Sequence, residues 1–226
     1  MLVPATGESV ALGVVPIGFP AGGGGDGVPL VRQAVSALAG QVGEIRVPVP
    51  SDLAGSVSAA LGGCRALVLP VPGIRPGPLT LVAAALRAGD AAGFDAVVVL
   101  DPLHLPLQGS LVPAVLGALR AEPDAPGAVA VAGRVTDTLV WVGAADLVTG
   151  TADRDRFREV LGPYAYRTAT LLRALDQVGR TPSREPALAR LAAAVDAHWL
   201  PRTADVCAIA APDDLALAES LIDPER

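Results

Sequence analysis

An aspartate and a histidine stand just after a strand-like apolar run. Asp101 directly follows the sequence VVVL at 97–100, and His104 lies three residues later. A carboxylate at the end of a buried strand can hold Mg²⁺, a hard cation that prefers oxygen ligands and usually bridges them to substrate phosphates. The segment therefore predicts Asp101 as a metal ligand with His104 beside the same cleft. Two simpler interpretations stay open, in which Asp101 caps the turn at Pro102 and His104 is a polar loop residue.

A glycine-rich loop separates the first strand-like run from the first helix-like segment. It contains Gly22, Gly23, Gly24 and Gly25. Backbone N–H groups in such a loop can cradle phosphate, and the dipole of the following helix favours an anion there. However, the loop from 17 to 27 has neither Arg nor Lys, and its one charge, Asp26, repels phosphate. It also lacks the dinucleotide fingerprint and the P-loop ending. A triphosphate cradle and a flexible surface loop both remain open.

Three arginines at alternate positions form the third candidate. They are Arg154, Arg156 and Arg158. On a helix, positions 154 and 158 share a face, and two guanidinium groups together can bind a phosphomonoester. Acidic residues at 153, 155 and 159 neutralise the cluster, so a solvated helix start is the alternative.

Composition excludes several classes of function. A net charge of −6 and a pI near 4.9 argue against a nucleic-acid partner, which needs a clustered positive face. No run of about 18 apolar residues could span a bilayer, and no basic, then apolar, N-terminal signal is visible. Two cysteines without a spaced framework, Cys64 and Cys207, suit a reducing compartment. We therefore expect a cytoplasmic protein without a membrane partner. All 17 cationic residues are arginines, and the chain has no lysine.

The elements that must position these residues alternate between strands and helices. Strand-like runs lie at 10–16, 44–49, 66–71, 95–100, from 129, and at 206–210. Helix-like segments lie at 29–39, 51–61, 79–88, 110–121, 155–161, 168–178, 186–197 and 212–222, with Ser51 and Asp52 as N-cap residues of the second. The pattern predicts an α/β fold with a Rossmann-like, doubly wound, mostly parallel sheet. Ligands of such sheets bind at the carboxyl ends of the strands. Here that edge comprises the loops after 16, 71 and 100 and the region around Cys207.

The sequence changes character after Arg134. Two short strand-like segments, 138–142 and 147–149, are joined by Gly143, Ala144, Ala145 and Asp146. They predict a β-hairpin arm, at about 136–154, that projects from the sheet. Because there are no internal repeats and no disordered linker, residues 1–226 are predicted to form a single domain with this arm. The aromatic residues Tyr164, Tyr166 and Trp199, together with His198 and Cys207, are expected to pack rather than react.

Four segments resemble one family. They are VVVLDPLHLP at 97–106, VTDTLVWVGAADLVTGTADR at 135–154, LGPYAYRTATLL at 161–172 and APDDLALAESLI at 211–222. The chain resembles the 2-C-methyl-D-erythritol 4-phosphate cytidylyltransferases of isoprenoid biosynthesis from about Val10 to its C-terminus. The resemblance implies a nucleotidyltransferase fold whose arm interlocks in a dimer. It also implies transfer of CMP from CTP to a phosphorylated substrate with Mg²⁺, by positioning and charge stabilisation.

The chain matches the family at the metal-site aspartate but departs from it in the first loop. The family's aspartate at the fourth strand end is Asp101. Its first loop reads V-P-A-A-G-x-G-x-R-M, soon followed by P-K. Val15 and Pro16 match, but the chain then continues IGFPAGGGGDG. The remnant of the nucleotide loop is therefore Pro16 with the four glycines. The arginine of the family's D-A-A-R-P motif falls on His104, another remnant position.

The chain also matches the family in the arm but lacks the family's cationic residue near the C-terminus. In the family, the arm supplies a threonine and an arginine to the substrate phosphate of the partner subunit, and these match Thr138 and Arg154. The threonine of the family's T-P-Q motif falls on Gly162. The family's K-x-T falls on Ala208 and Ala210.

These matches predict a degenerate homologue, a catalytically impaired pseudoenzyme with a binding, regulatory or assembly role. We expect a homodimer through the arm, or a heterodimer in which Thr138 and Arg154 complete an active homologue's site. One alternative is an active enzyme that transfers CMP from CTP to 2-C-methyl-D-erythritol 4-phosphate or a related substrate. Another is a protein that binds a phosphorylated metabolite through Arg154. By sequence, Arg32 and Arg75 are the nearest candidates to replace the lost cations.

Overall fold

The computed structural model describes residues 10–17, 28–73, 76–106, 111–132, 140–142, 148–151, 160–178, 187–202 and 206–208. Its strands are β1 (Ala11–Val14), β2 (Glu44–Pro50), β3 (Leu67–Val71), β4 (Ala96–Val99), β5 (His104–Pro106), β6 (Gly127–Ala132), β7 (Val140–Val142), β8 (Val148–Thr151), β9 (Val160–Arg167), β10 (His198–Arg202) and β11 (Val206–Ala208). Its α-helices are α1 (Val28–Leu38), α2 (Ala54–Ala60), α3 (Pro78–Arg87), α4 (Leu111–Ala121), α5 (Thr168–Val178) and α6 (Ala187–Ala194).

A seven-stranded sheet forms the centre of the fold, in the order β10-β6-β9-β4-β1-β2-β3. Strands β1, β2, β3 and β4 pair in parallel, and β10 pairs in parallel with β6. Strand β9 lies antiparallel between β4 and β6. The mostly parallel α/β sheet predicted from the sequence is therefore confirmed.

Strand β4 shows how the sheet divides the core into two layers. Its residues are all buried, and successive side chains of a strand point to opposite faces. Ala96 and Val98 belong to the core on one face, where buried residues of α1, α2 and α4 pack. Val97 and Val99 belong to the core on the other face, with residues of α3, α5 and α6. A strand covered on both faces explains the continuous apolar run in the sequence.

Arginines from elsewhere in the chain bind the carbonyl groups at helix ends. Four of them reach the last turn, or the residues just beyond it, of α2, α3, α4 and α5: Arg32, Arg46, Arg167 and Arg190. The last four carbonyls of a helix have no partner within that helix, and the helix dipole makes this end negative. A guanidinium group supplies several donors with a permanent positive charge. In this lysine-free chain, arginine thus stabilises helix ends.

Several predicted element boundaries are wrong, and one is the end of the helix predicted at 186–197, which as α6 stops at Ala194. Ser51 and Asp52 do not cap α2, which begins at Ala54 after Leu53 and has no side-chain cap. The reason is a turn at the end of β2, in which the N–H of Leu53 donates to the carbonyl of Pro50. The predicted helix at 155–161 is also wrong in its last two residues, since β9 already includes 160 and 161. The rest of that helix, and the one at 212–222, lie outside the described residues.

The predicted hairpin is present as two strands. β7 and β8 pair antiparallel, with Val140 opposite Thr151 and Trp141 opposite Gly150. They form a two-stranded sheet separate from the main one. The predicted last strand is found as β11, which pairs with β5 and is described as far as Ala208. Within the described part of the chain, no helix is both long and apolar enough to cross a membrane.

Candidate functional site

The carboxyl ends of β1 and β4 lie side by side at one edge of the sheet. The two strands pair in register from Ala11 opposite Ala96 to Val14 opposite Val99. Beyond β4, the N–H of Leu100 donates to the carbonyl of Val14 at 2.9 Å. This bond brings the residues that follow the two strands next to each other. The topology therefore places Asp101 and the buried Pro16 at the same edge, as the sequence predicts.

Asp101 is half-buried at this edge and closes a turn. Its Oδ1 accepts the N–H of Leu103 at 2.9 Å, so the turn-capping interpretation of this residue is confirmed. A carboxylate has about four acceptor positions on its two oxygens, and this bond uses one of them.

The described residues contain no group of three or more His, Cys, Asp or Glu that could hold a metal. A Mg²⁺ ion at this edge would depend on Asp101, on water and on oxygens of a bound phosphate, which is how Mg²⁺ is usually held. Asp101 fits that chemistry as a single carboxylate ligand.

Two stacked tyrosines form an apolar wall beside Asp101. Tyr164 lies opposite Val99 in the ladder between β9 and β4, and its ring stacks on that of Tyr166 with centroids 6.4 Å apart. Burial, and then the negative charge of Asp101, raise the pKa of Tyr164 far above its ordinary value. Burial also raises the pKa of Tyr166. Both phenols stay neutral, and the packing role predicted for them is confirmed by their burial.

Strands β5 and β11 bring two distant segments together at this site. In their antiparallel register, Ala208 lies opposite His104 and Cys207 lies opposite Leu105. The sequence resemblance expects a lysine at Ala208 and an arginine at His104. The structure thus pairs two positions about a hundred residues apart in sequence, and neither is occupied by a residue with a permanent positive charge. No feature of the local sequence could have predicted this register.

Gly162 has a local structural reason to be glycine. Its φ of +64° lies in the left-handed region, which a β-branched residue such as threonine rarely adopts. A Cβ at this position would also lie 3.3 Å from a ring carbon of Tyr164. The backbone conformation at Gly162 therefore disfavours the threonine expected from the resemblance.

Arg32 is engaged elsewhere. Its Nε donates to the carbonyl of Ala60 at 2.6 Å, and its Nη2 donates to that of Gly62 at 3.1 Å. These contacts tie α1 to the end of α2, and they do not support Arg32 as a replacement for a lost cation. Arg75 lies outside the described residues, and so do the other predicted site residues Gly22, Gly23, Gly24, Gly25, Thr138, Arg154 and Ala210.

Two cavities in the described part of the chain lie away from this edge. One, of about 390 Å³, is lined by residues that include Glu44, Cys64 and Arg65. The other, of about 600 Å³, is lined by residues that include Asp95 and Thr168. Because Glu44 begins β2 and Asp95 precedes β4, both cavities open at the amino ends of the strands. Neither includes Asp101, and the carboxyl edge remains the candidate site.

The sheet order and the helices on both faces define an α/β protein with the nucleotidyltransferase fold. The family model for IspD, 2-C-methyl-D-erythritol 4-phosphate cytidylyltransferase, matches residues 25–224. This chain therefore belongs to that family.

Relatives with this name match over almost the whole chain. The 2-C-methyl-D-erythritol 4-phosphate cytidylyltransferase of Nocardia farcinica is 36% identical over 234 residues, covering 98% of this chain and 93% of the relative. That of Saccharopolyspora erythraea is 30% identical over 231 residues, covering 98% of this chain and 97% of the relative.

Solved structures share the fold at lower identity. The 4-diphosphocytidyl-2C-methyl-D-erythritol synthase of Anaerococcus prevotii superposes with a TM-score of 0.74 at 14% identity, covering 95% of this chain and 99% of that one. The 2-C-methyl-D-erythritol 4-phosphate cytidylyltransferase of Thermus thermophilus gives a TM-score of 0.68 at 24% identity, with 95% and 99% covered. These likenesses establish the architecture.

Proposed function

We propose that this chain is a catalytically impaired member of the family with a binding, regulatory or assembly role. The observation that carries the proposal is the pair His104 and Ala208. The register of β5 and β11 places these two positions opposite each other, and neither residue has a permanent charge. The loop after β1 adds no cation, since residues 17–27 contain neither Arg nor Lys.

The electrostatic argument concerns the triphosphate of CTP. Transfer of CMP requires donors that hold the phosphates and stabilise charge as the bond to the leaving pyrophosphate breaks. Removing one preorganised donor typically lowers the rate by about 10²- to 10³-fold. At least three cationic positions expected from the resemblance are absent here: two in the first loop and one at Ala208, with a fourth weakened to His104. Asp101 with Mg²⁺ would supply part of the missing charge.

Direct measurement of turnover and binding tests the proposal. We expect no CTP turnover at ordinary enzyme rates with Mg²⁺ and 2-C-methyl-D-erythritol 4-phosphate, and only weak CTP binding by calorimetry. The double variant His104→Arg/Ala208→Lys should bind CTP at least about tenfold more tightly. It adds two cations at the positions where the resemblance expects cations to hold the phosphates. A matched control, His104→Gln/Ala208→Ser, changes the same positions without adding charge and should leave binding unchanged.

Turnover by the unaltered chain that disappears in Asp101→Ala would refute the impaired-enzyme proposal. That outcome would support the second candidate, an active cytidylyltransferase acting on 2-C-methyl-D-erythritol 4-phosphate or a related phosphorylated substrate. The retained Asp101 at the end of β4, and 36% identity to the Nocardia farcinica protein across nearly the full length, favour this candidate.

A further inference from the structure

The ladder between β1 and β2 continues past the end of β1, but only half of its hydrogen bonds can form there. The N–H of Val15 donates to the carbonyl of Arg46 at 3.0 Å, and the N–H of Ile17 donates to the carbonyl of Pro48 at 3.1 Å. In a parallel ladder, the carbonyls of Val15 and Ile17 would also accept bonds from β2. In each case the donor is the N–H two residues after the β2 residue whose carbonyl the same β1 residue binds. Those donors would be the N–H groups of residues 48 and 50.

Residues 48 and 50 are both prolines, which have no N–H. The ladder therefore lacks two successive donors, and the carbonyls of Val15 and Ile17 receive no ladder bond from β2. Both residues are fully buried. Proline is normally confined to edge strands of a sheet, whereas β2 lies between β1 and β3.

The seams, which are the pairings between neighbouring strands, on either side of this one each form a hydrogen bond at the same edge. Across the seam between β1 and β4, the N–H of Leu100 donates to Val14 at 2.9 Å. Across the seam between β2 and β3, the N–H of Ser51 donates to Val71 at 3.2 Å. In that register Pro70 faces away from β2 and removes no bond between the two strands. Past Leu100, Pro16 and Pro102 lack the N–H groups that would continue the β1–β4 ladder, so that seam ends there. The β1–β2 seam differs because it continues to Ile17, with missing donors alternating with bonds that form.

The amino half of β2 is anchored by Arg46. This side chain is buried, with its Nη1 donating to the carbonyl of Ala85 in α3 at 2.7 Å. Its Nε donates to Glu44 at 2.5 Å, and its guanidinium lies over the ring of Phe94, 5.7 Å from the centroid. One end of β2 is thus fixed to α3, while the other end is held to β1 by two bonds instead of four.

We propose that the β1–β2 seam is a built-in opening point of the sheet. The unit formed by β2, α2 and β3 pivots about the Arg46 end and separates from β1 at the carboxyl ends of the strands. That is the edge at which Asp101 and Pro16 lie, so the opening adjusts the width of the candidate site. The proposal does not depend on whether the protein transfers CMP.

Native-state hydrogen exchange of the full chain, read residue by residue by NMR, tests this opening. The amides of Val15 and Ile17 report on the β1–β2 seam, and that of Leu100 reports on the β1–β4 seam at the same edge. Two missing bonds predict protection at Val15 and Ile17 at least about tenfold below that at Leu100. Equal protection of the three amides in the unaltered protein would overturn the proposal, and this comparison needs no variant.

A substitution that restores a donor supplies the second test. Pro48→Val returns an N–H facing the carbonyl of Val15 and should raise the protection of the Val15 amide by about fivefold to tenfold. Pro70→Val is the matched control, since its new N–H faces away from β2. It should leave the Val15 amide unchanged. If the protection of the Val15 amide rose equally in both variants, the restored bond between β1 and β2 would not be the cause. The increase would then reflect a general effect of replacing proline with valine.

Discussion

At the scale of single residues, the two tyrosines give the chain an unusual response to alkali. Tyr164 and Tyr166 are both buried with raised pKa values, and they are the chain's two tyrosines. With no lysine present, few other groups titrate near pH 10. Unfolding exposes both phenols to water, where their pKa returns to about 10.

We therefore predict that the free energy of unfolding falls as pH rises above about 10. There the unfolded chain loses phenolic protons that the folded chain retains, and each tyrosine contributes a slope of up to about 1.4 kcal/mol per pH unit. Urea unfolding monitored by circular dichroism between pH 9 and 11.5 measures the slope. Tyr166→Phe should halve it, and should cost little stability at pH 7 because the Tyr166 hydroxyl has no hydrogen-bond partner among the described residues. A slope unchanged in this variant would contradict the assignment.

At the same scale, the sequence predicted part of the candidate site. Asp101 could be placed at a sheet edge because it ends a run that only a buried strand explains. The pairing of His104 with Ala208 could not be predicted, because the register of β5 and β11 joins residues far apart in the chain. Sequence periodicity contains no information about such a partner.

At the scale of elements, the arginine contacts decide which helix ends are stable. Arg167, the last residue of β9, donates to the carbonyls of Leu119, Glu122 and Ala125 around the end of α4. Lysine cannot reproduce these contacts, since it presents one compact ammonium group instead of a planar fork.

We predict that Arg167→Lys lowers the free energy of unfolding by about 1.5–3 kcal/mol, the range for hydrogen bonds to a charged group. Chemical denaturation at neutral pH measures the loss. The matched control is Arg173→Lys on α5, where the guanidinium is exposed and makes a 3.4 Å contact with Thr170. Surface changes of this kind usually stay within about 0.5 kcal/mol. If the two variants lose equal stability, helix-end binding is not what Arg167 contributes.

Element boundaries were predicted correctly where the periodicity of the sequence matches the buried face of the element. Helix α5 begins and ends at the residues predicted, 168 and 178, because its apolar stripe has the helical period and is buried along its length. Strand β9 was missed, since Gly162 and Pro163 interrupt its pattern. Pairing with both β4 and β6 makes it a strand regardless. The local sequence opposes this conformation, and the neighbouring strands override it.

At the scale of the whole molecule, the hairpin is the feature that bears on association with a partner. The hairpin strands β7 and β8 lie outside the main sheet, and two strands alone are marginally stable in water. They therefore need a surface to pack on. We propose that the arm predicted from the sequence, with Thr138 and Arg154, packs on a second copy of this chain or on an active homologue.

We predict association through this arm, either in a homodimer of twice the 22.7 kDa chain mass or in a one-to-one complex with an active relative. Size exclusion with light scattering over a micromolar concentration series measures the first, and the same experiment after mixing with the Nocardia farcinica relative measures the second. A two-fold homodimer buries the same arm in both subunits, so it should form without the relative. A chain that is monomeric alone and complexed only in the mixture instead supports a role in completing a partner's site. A monomer in both experiments would contradict assembly through the arm and leave the hairpin to pack on its own subunit.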